Sequence, residues 1–136
     1  MRIVTESFDV GTKSRNQAID ITDKVQSIVD KAGIKNGDVI AYCPHTTAGI
    51  TINENADPDV MHDVLLTLNE LVPVDRQGYQ HGEGNSDAHC KSSIIGCSVQ
   101  VLVKGGQLLL GSWQGIYFCE FDGPRSRKVF VQVRGE

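Results

Sequence analysis

VQVLVKGGQLLLGSWQGIYFCEFDGPRSRKVFVQV, residues 99–133, decides the fold. Val99, Val101 and Val103 alternate with Gln100 and Leu102, the period-two pattern of a strand with one face in a core. Gly105-Gly106 predicts a two-residue hairpin turn, and Leu108 to Leu110 the returning strand. Ile116 to Phe121 and Val129 to Val133 read as two more strands around the Gly123-Pro124 turn. The carboxy-terminal half is therefore expected to form an antiparallel meander.

Working outward, the rest of the chain adds helices. Ile3, Val4 and Phe8 suggest a first strand, and Ala18-Ile19-Asp20-Ile21 a short second one. Thr22 reads as an N-cap, followed by Val25, Ile28, Val29 and Ala32 on one helical face, with Gly33 as the C-terminal stop. Asn36-Gly37 predicts a turn and Val39 to Cys43 a buried strand. Ile50-Thr51-Ile52-Asn53 alternates as another strand. Asp57-Pro58 starts a second helix with the stripe Met61, Val64, Leu65, Leu68 and Leu71, stopped by Pro73. A short third helix is expected from Ser86 to Gly96. Strands with packed helices make the class α+β.

The 136 residues form one expected domain, 1–136, long enough to bury a core. A net charge of -4 with scattered Lys and Arg argues against a broad nucleic-acid surface. No apolar run reaches the roughly 20 residues of a membrane span, and MRIVTESFDV lacks a signal-peptide core, so a cytoplasmic protein is expected. Cys43, Cys90, Cys97 and Cys119 show no C-x-x-C spacing. Three of them lie in or beside apolar segments and read as buried thiols. Cys90 follows His89 directly, but no orienting His–Asp pair marks it as a nucleophile.

Three constellations could carry chemistry. His45-Thr46-Thr47-Ala48-Gly49 links two strands, leading to Asn53-Glu54-Asn55. It is either a histidine on a rigid strand end beside anion-binding hydroxyls or a turn bonding its own backbone. YQHGEGNSDAHCKSS at 79–93 crowds His81, Glu83, Asn85, Asp87 and His89 into a segment with few apolar residues. With the helix starting near Ser86, His89 falls in its first turn and His81 in the loop before it. The pair suits a metal or a general base, or else a solvated surface. His62 sits off the apolar stripe and reads as solvated. Last come Gly111-Ser112-Trp113-Gln114 and Glu120 to Arg127. Trp113 is core or a flat wall for a substrate ring, and Gln114 can fix polar edges. Arg125 and Arg127 suit phosphate or carboxylate if both point to one side, or pair with surface acids.

HTTAGITINEN (45–55), HGEGNSDAH (81–89), GSWQGI (111–116) and EFDGPRSRKV (120–129) together resemble the YjbQ family, often labelled secondary thiamine-phosphate synthases. The resemblance spans essentially the whole chain. It implies an antiparallel β-sandwich-like sheet with two main helices and a short third, assembled as a homotrimer. It places His45, His81 and His89 at recurrent histidine positions. Glu54, Asn85, Trp113, Gln114, Arg125 and Arg127 stand at recurrent polar positions. Ser112 replaces the usual Thr, and Glu83 the usual Asp before Gly-Asn.

The label implies joining a pyrimidine pyrophosphate to a thiazole phosphate, with charge or a metal on the leaving pyrophosphate. Three imidazoles favour Zn²⁺, while Mg²⁺ would come with a pyrophosphate substrate. The expected site therefore has His45, His81 and His89 as metal ligands and Glu54, Glu83 and Asn85 as catalytic groups. Thr46, Thr47, Trp113, Gln114, Arg125 and Arg127 would face a small phosphorylated metabolite. A non-catalytic sensing trimer and a metal-dependent hydrolase of a small phosphate ester use the same residues.

Overall fold

The computed structural model describes all of residues 1–136, as eight strands and three helices. In chain order these are β1 (Arg2–Gly11), β2 (Gln17–Asp20), α1 (Thr22–Ala32), β3 (Asn36–Tyr42), β4 (Ala48–Glu54), α2 (Pro58–Leu71), α3 (Ser86–Ile95), β5 (Ser98–Lys104), β6 (Gln107–Leu108), β7 (Gln114–Glu120) and β8 (Ser126–Gly135). The strands make two sheets, β1-β8-β3-β5-β6 and β2-β7-β4, with every pairing antiparallel. The α+β class holds.

Val39, Val101, Val129, Val131 and Val133 of the large sheet pack with Ile50, Ile116 and Phe118 of the small one, and α1 adds Val25 and Val29. A second core lies on the other face of the small sheet. There Tyr117, Cys119 and Phe121 meet Met61 and Leu68 of α2 and Ala88 of α3. The layers are thus large sheet, small sheet and the α2–α3 pair.

The meander expected after residue 98 is only partly formed. β5 and β6 make the Gly105-Gly106 hairpin, with a return of two residues rather than three. β7 then leaves for the centre of the small sheet, and β8 comes back to lie between β1 and β3. The reason is in β7 itself. Gly115 to Glu120 are all buried, so the strand needs cover on both faces. The middle of the sandwich provides that; a place in a one-layer meander would not.

Local signals survive with small shifts. Asp57 caps α2 by accepting the Asp59 amide at 2.9 Å, with Pro58 in the first turn. Gly33 closes α1 at φ 68°. Thr22 is the first residue of α1 rather than its cap: Asp20 Oδ1 accepts its amide at 2.9 Å and its hydroxyl at 2.6 Å. Leu71 is exposed rather than part of the α2 stripe. Asn36-Gly37 opens β3 instead of turning, because pairing with Gly135 on β8 and with Lys104 and Val103 on β5 outweighs its turn preference. Cys43 and Cys119 are buried, whereas Cys97, expected inside, is exposed along with Cys90. No helix is long and apolar enough to cross a membrane.

Candidate functional site

Three connections meet at one end of the small sheet: residues 43–47 between β3 and β4, residues 79–85 before α3, and residues 121–125 between β7 and β8. Ala48 pairs with Glu120, which fixes the first beside the third. α3 brings the second. Its Ser92 hydroxyl donates to the Ala48 carbonyl at 2.7 Å, and its terminal Gly96 carbonyl accepts the Ile50 amide at 3.1 Å. The close approach depends on Gly49, where a Cβ would stand 2.6 Å from the Gly96 carbonyl oxygen.

The meeting point is a cavity of about 320 Å³ lined by Pro44, His45, Thr46, Thr47, Glu83, Asn85, His89, Asp122, Arg125 and Arg127, none of them hydrophobic. Eight of the expected site residues therefore share one wall. His89 also borders two adjoining clefts, one with His45 and Cys97, the other with His81 and Cys90. His89 is the one histidine that lines all three, whereas His81 borders only the last.

Arg127 is anchored from below. Glu120, fully buried on β7, receives its Nε at 2.8 Å and its Nη2, while Nη2 also donates to Thr47 Oγ1 at 2.8 Å. The Thr12 hydroxyl at 2.8 Å and the backbone amides of Phe121 and Asp122 complete the donors to Glu120. Burial pushes the Glu120 carboxyl up, but Arg127 and these hydrogen bonds outweigh it and hold the group below its ordinary value. Arg127 is left with Nη1, which has no partner in the chain.

Asp122 follows the same logic nearer the opening. Burial raises its carboxyl, but Asn85 Nδ2 at 2.9 Å and Arg125 Nη2 at 3.0 Å bring it below the usual value. Because this ionised oxygen needs a donor, the Asn85 amide is fixed with Nδ2 toward it. Asn85 Oδ1 is left buried without a partner.

His45 Nε2 lies 2.9 Å from the Lys128 amide and 3.1 Å from the Lys128 carbonyl, so either neutral tautomer finds a backbone partner. Burial, then the charge of Arg127, lowers its pKa. Both causes favour the neutral ring, and the Lys128 backbone orients it, the form needed in a base or a ligand. His81 and His89 stand edge to face with ring centres 5.3 Å apart, and His81 Nε2 is 3.5 Å from Glu83. These donors have the chemistry of a zinc site but not its spacing: no three His, Cys, Asp or Glu side chains are placed to hold one ion.

Glu54, Trp113 and Gln114 lie elsewhere. Glu54 and Gln114 pair at the far end of β4 and β7, roughly 20 Å along the strand from Ala48. Trp113 is 65% exposed, and Gln114 Oε1 accepts the Gly111 amide at 2.8 Å, closing its own turn. Within one chain the structure does not bring them to the cavity. His62 is solvated beside Asp63, as expected.

Two groups had no role in the sequence reading. Glu120 and Asp122 hold the arginines; the one signal was a carboxylate inside the apolar run IYFCEF. Asp87 and Lys91, both buried, form a 3.2 Å ion pair that Asn69 at 2.6 Å and Arg15 at 3.0 Å extend. The inner face of α3 is thus polar, and no hydrophobic periodicity could announce it.

An α+β sandwich with a wholly polar pocket at one sheet end defines the class of protein. A sequence model described as UPF0047 protein YjbQ-like matches residues 6–136. The chain belongs to this YjbQ-like UPF0047 family. It is 50% identical to the UPF0047 protein YugU of Bacillus subtilis over 130 residues, 96% of this chain and 98% of the relative. It is 49% identical to a UPF0047 protein of Methanocaldococcus jannaschii, covering 95% and 93%. A crystal structure of an uncharacterised YjbQ/UPF0047 protein from Clostridium acetobutylicum superposes with a TM-score of 0.93 at 52% identity, covering 95% and 99%. A YbjQ-like protein of unknown function from Sulfolobus solfataricus gives 0.94 at 34% identity, covering 99% of each chain.

Proposed function

We propose that the cavity binds a small phosphorylated metabolite and that the chain is an enzyme acting at its phosphate end, of the thiamine-phosphate synthase kind. The observation that carries this reading is the convergence of Arg125, Arg127 and Thr46 with a backbone-oriented His45 in one polar cavity. Guanidinium groups suit phosphate oxygens, and a cation fixed before the reaction starts stabilises the charge that a departing pyrophosphate gains. In that reaction the carbon–oxygen bond to pyrophosphate breaks, the electron pair leaves with it, and the thiazole nitrogen forms the new bond to carbon. Arg125 and Arg127 would hold the leaving group. His45 would exchange a proton with it, and Glu83 and Asn85 would position the organic part.

The test is pyrophosphate release from a pyrimidine pyrophosphate and a thiazole phosphate. Release by the unaltered protein is expected to fall by about 10²-fold or more in Arg125→Met and His45→Ala. Background release by the unaltered protein would leave a binding protein instead of an enzyme.

We also propose Zn²⁺ on His45, His81 and His89, which requires the three rings to draw together; Mg²⁺ would instead arrive with the pyrophosphate. Metal measured by mass spectrometry should disappear in the double variant His81→Ala/His89→Ala, and equal retention would refute the ligand set. A homotrimer, checked by light scattering, and a cytoplasmic location complete the proposal. The exposed Trp113 supports the first and four unpaired cysteines the second.

A further inference from the structure

The cavity carries more acceptors than an anion alone would want. Asp122 Oδ2 is engaged by Asn85 and Arg125, but Asp122 Oδ1 has no partner in the chain. Asn85, 7% exposed, keeps Oδ1 buried and unpaired in the same wall. Its amide cannot turn over to relieve this, because Nδ2 would leave the Asp122 carboxylate facing an oxygen. A buried acceptor without a donor costs about 1–3 kcal/mol, so the site gains when something supplies the donor. Beside them in the same cavity stand the opposite groups: Arg125, bonded to Asp122 Oδ2 at 3.0 Å, and Arg127 with its unpartnered Nη1. The cavity thus offers guanidinium groups to a negative charge and open acceptors to a positively charged N–H.

We propose that the ligand is a phosphorylated amine, its phosphate on Arg125 and Arg127 and its ammonium on Asp122 Oδ1 and Asn85 Oδ1. This rests on the phosphate-binding part of the reading above and goes beyond it, since neither a pyrimidine pyrophosphate nor a thiazole phosphate carries an alkylammonium. An ammonium fits better than a divalent cation. It brings three donors to a few acceptors, whereas Mg²⁺ needs six near-octahedral ligands beside a guanidinium that already occupies Asp122. No three metal-binding side chains are grouped here.

Calorimetric titration with inorganic phosphate, ethyl phosphate and O-phosphoethanolamine tests the assignment. O-phosphoethanolamine is expected to bind at least about tenfold more tightly than ethyl phosphate, the worth of one charge-assisted pair. Asp122→Asn should abolish that preference, read as the ratio of the two affinities, even where loosening Arg125 weakens binding of both phosphates. Asn85→Ala, checked for folding by circular dichroism, should reduce the preference in the same direction. Equal affinity for ethyl phosphate and O-phosphoethanolamine would overturn the amine assignment and spare the phosphate reading. A preference that appears only with added Mg²⁺ would overturn it too. Binding of none of the three would remove both.

Discussion

Glu120 and Arg127 form a buried ion pair between the two sheets, Glu120 from β7 of the small sheet and Arg127 from β8 of the large one. The pair fastens the sandwich at its cavity end and presents Arg127 Nη1 to the cavity. Breaking one side leaves the other charge buried and unmatched. Glu120→Ala is expected to lose about 3–5 kcal/mol of unfolding free energy by urea denaturation. The apolar pair Glu120→Leu/Arg127→Met should recover much of that loss while losing phosphate binding. A Glu120→Ala protein as stable as the unaltered one would remove the pair from its structural role.

Acid should undo the same region. Glu120 and Asp122 both have folded-state values below the ordinary ones. A depressed carboxylate contributes stability that is complete above its unfolded value, about 3.9 for Asp and 4.3 for Glu, and is lost as pH falls through the folded value. The urea midpoint is therefore expected to hold from pH 7 to about 5 and to drop below about 4. Asp122→Asn and Glu120→Gln, already destabilised at pH 7, should show a shallower acid loss. An acid loss of unchanged slope in both would point to other groups.

α3 stands on β4 through Gly49. Gly49→Ala places a methyl against the Gly96 carbonyl, where the nearest atom is backbone and cannot swing aside. A loss of about 1–3 kcal/mol is expected, together with weaker phosphate binding as His89 and Asn85 shift. Stability and binding can be read on the same sample by thermal denaturation with and without phosphate. Unchanged values for both would mean that the contact relaxes freely.

The buried pair under α3 predicts an order of effects. Asp87→Ala strands Lys91 among Asn16 and Asn69, which are neutral, and should cost about 3–5 kcal/mol. Lys91→Met leaves Asp87 its 3.0 Å contact with Arg15 and should cost less. Urea titration of both variants decides it, and the reverse order would show that Lys91 is the member the fold depends on.

Much of this was legible in the chain. The alternation of Val99 to Val103, the Asp57-Pro58 start of α2 and the Gly33 stop of α1 are local, and each was found where its chemistry placed it. His89 falls in the first turn of α3, as its spacing suggested. Arg125 and Arg127 line one cavity, but Arg125 lies in the turn before β8 rather than on its face, and each arginine pairs with an acid. The buried face of α3 was not legible, because Asp87, Lys91 and Ser92 read as solvent-facing residues until their partners are known.

The sequence by itself determined the α+β class, most helix ends and three polar segments rich in histidines, hydroxyls and arginines at or beside element ends, since period and capping act within a few residues. Only the tertiary structure decided that β7 crosses to a second sheet, that Glu120 takes up most of Arg127, and that Glu54, Trp113 and Gln114 lie a strand's length from the cavity. Those outcomes depend on which distant segment can cover a doubly buried strand or satisfy a buried charge. Such energies belong to pairs of residues far apart in the chain, and no local pattern encodes them.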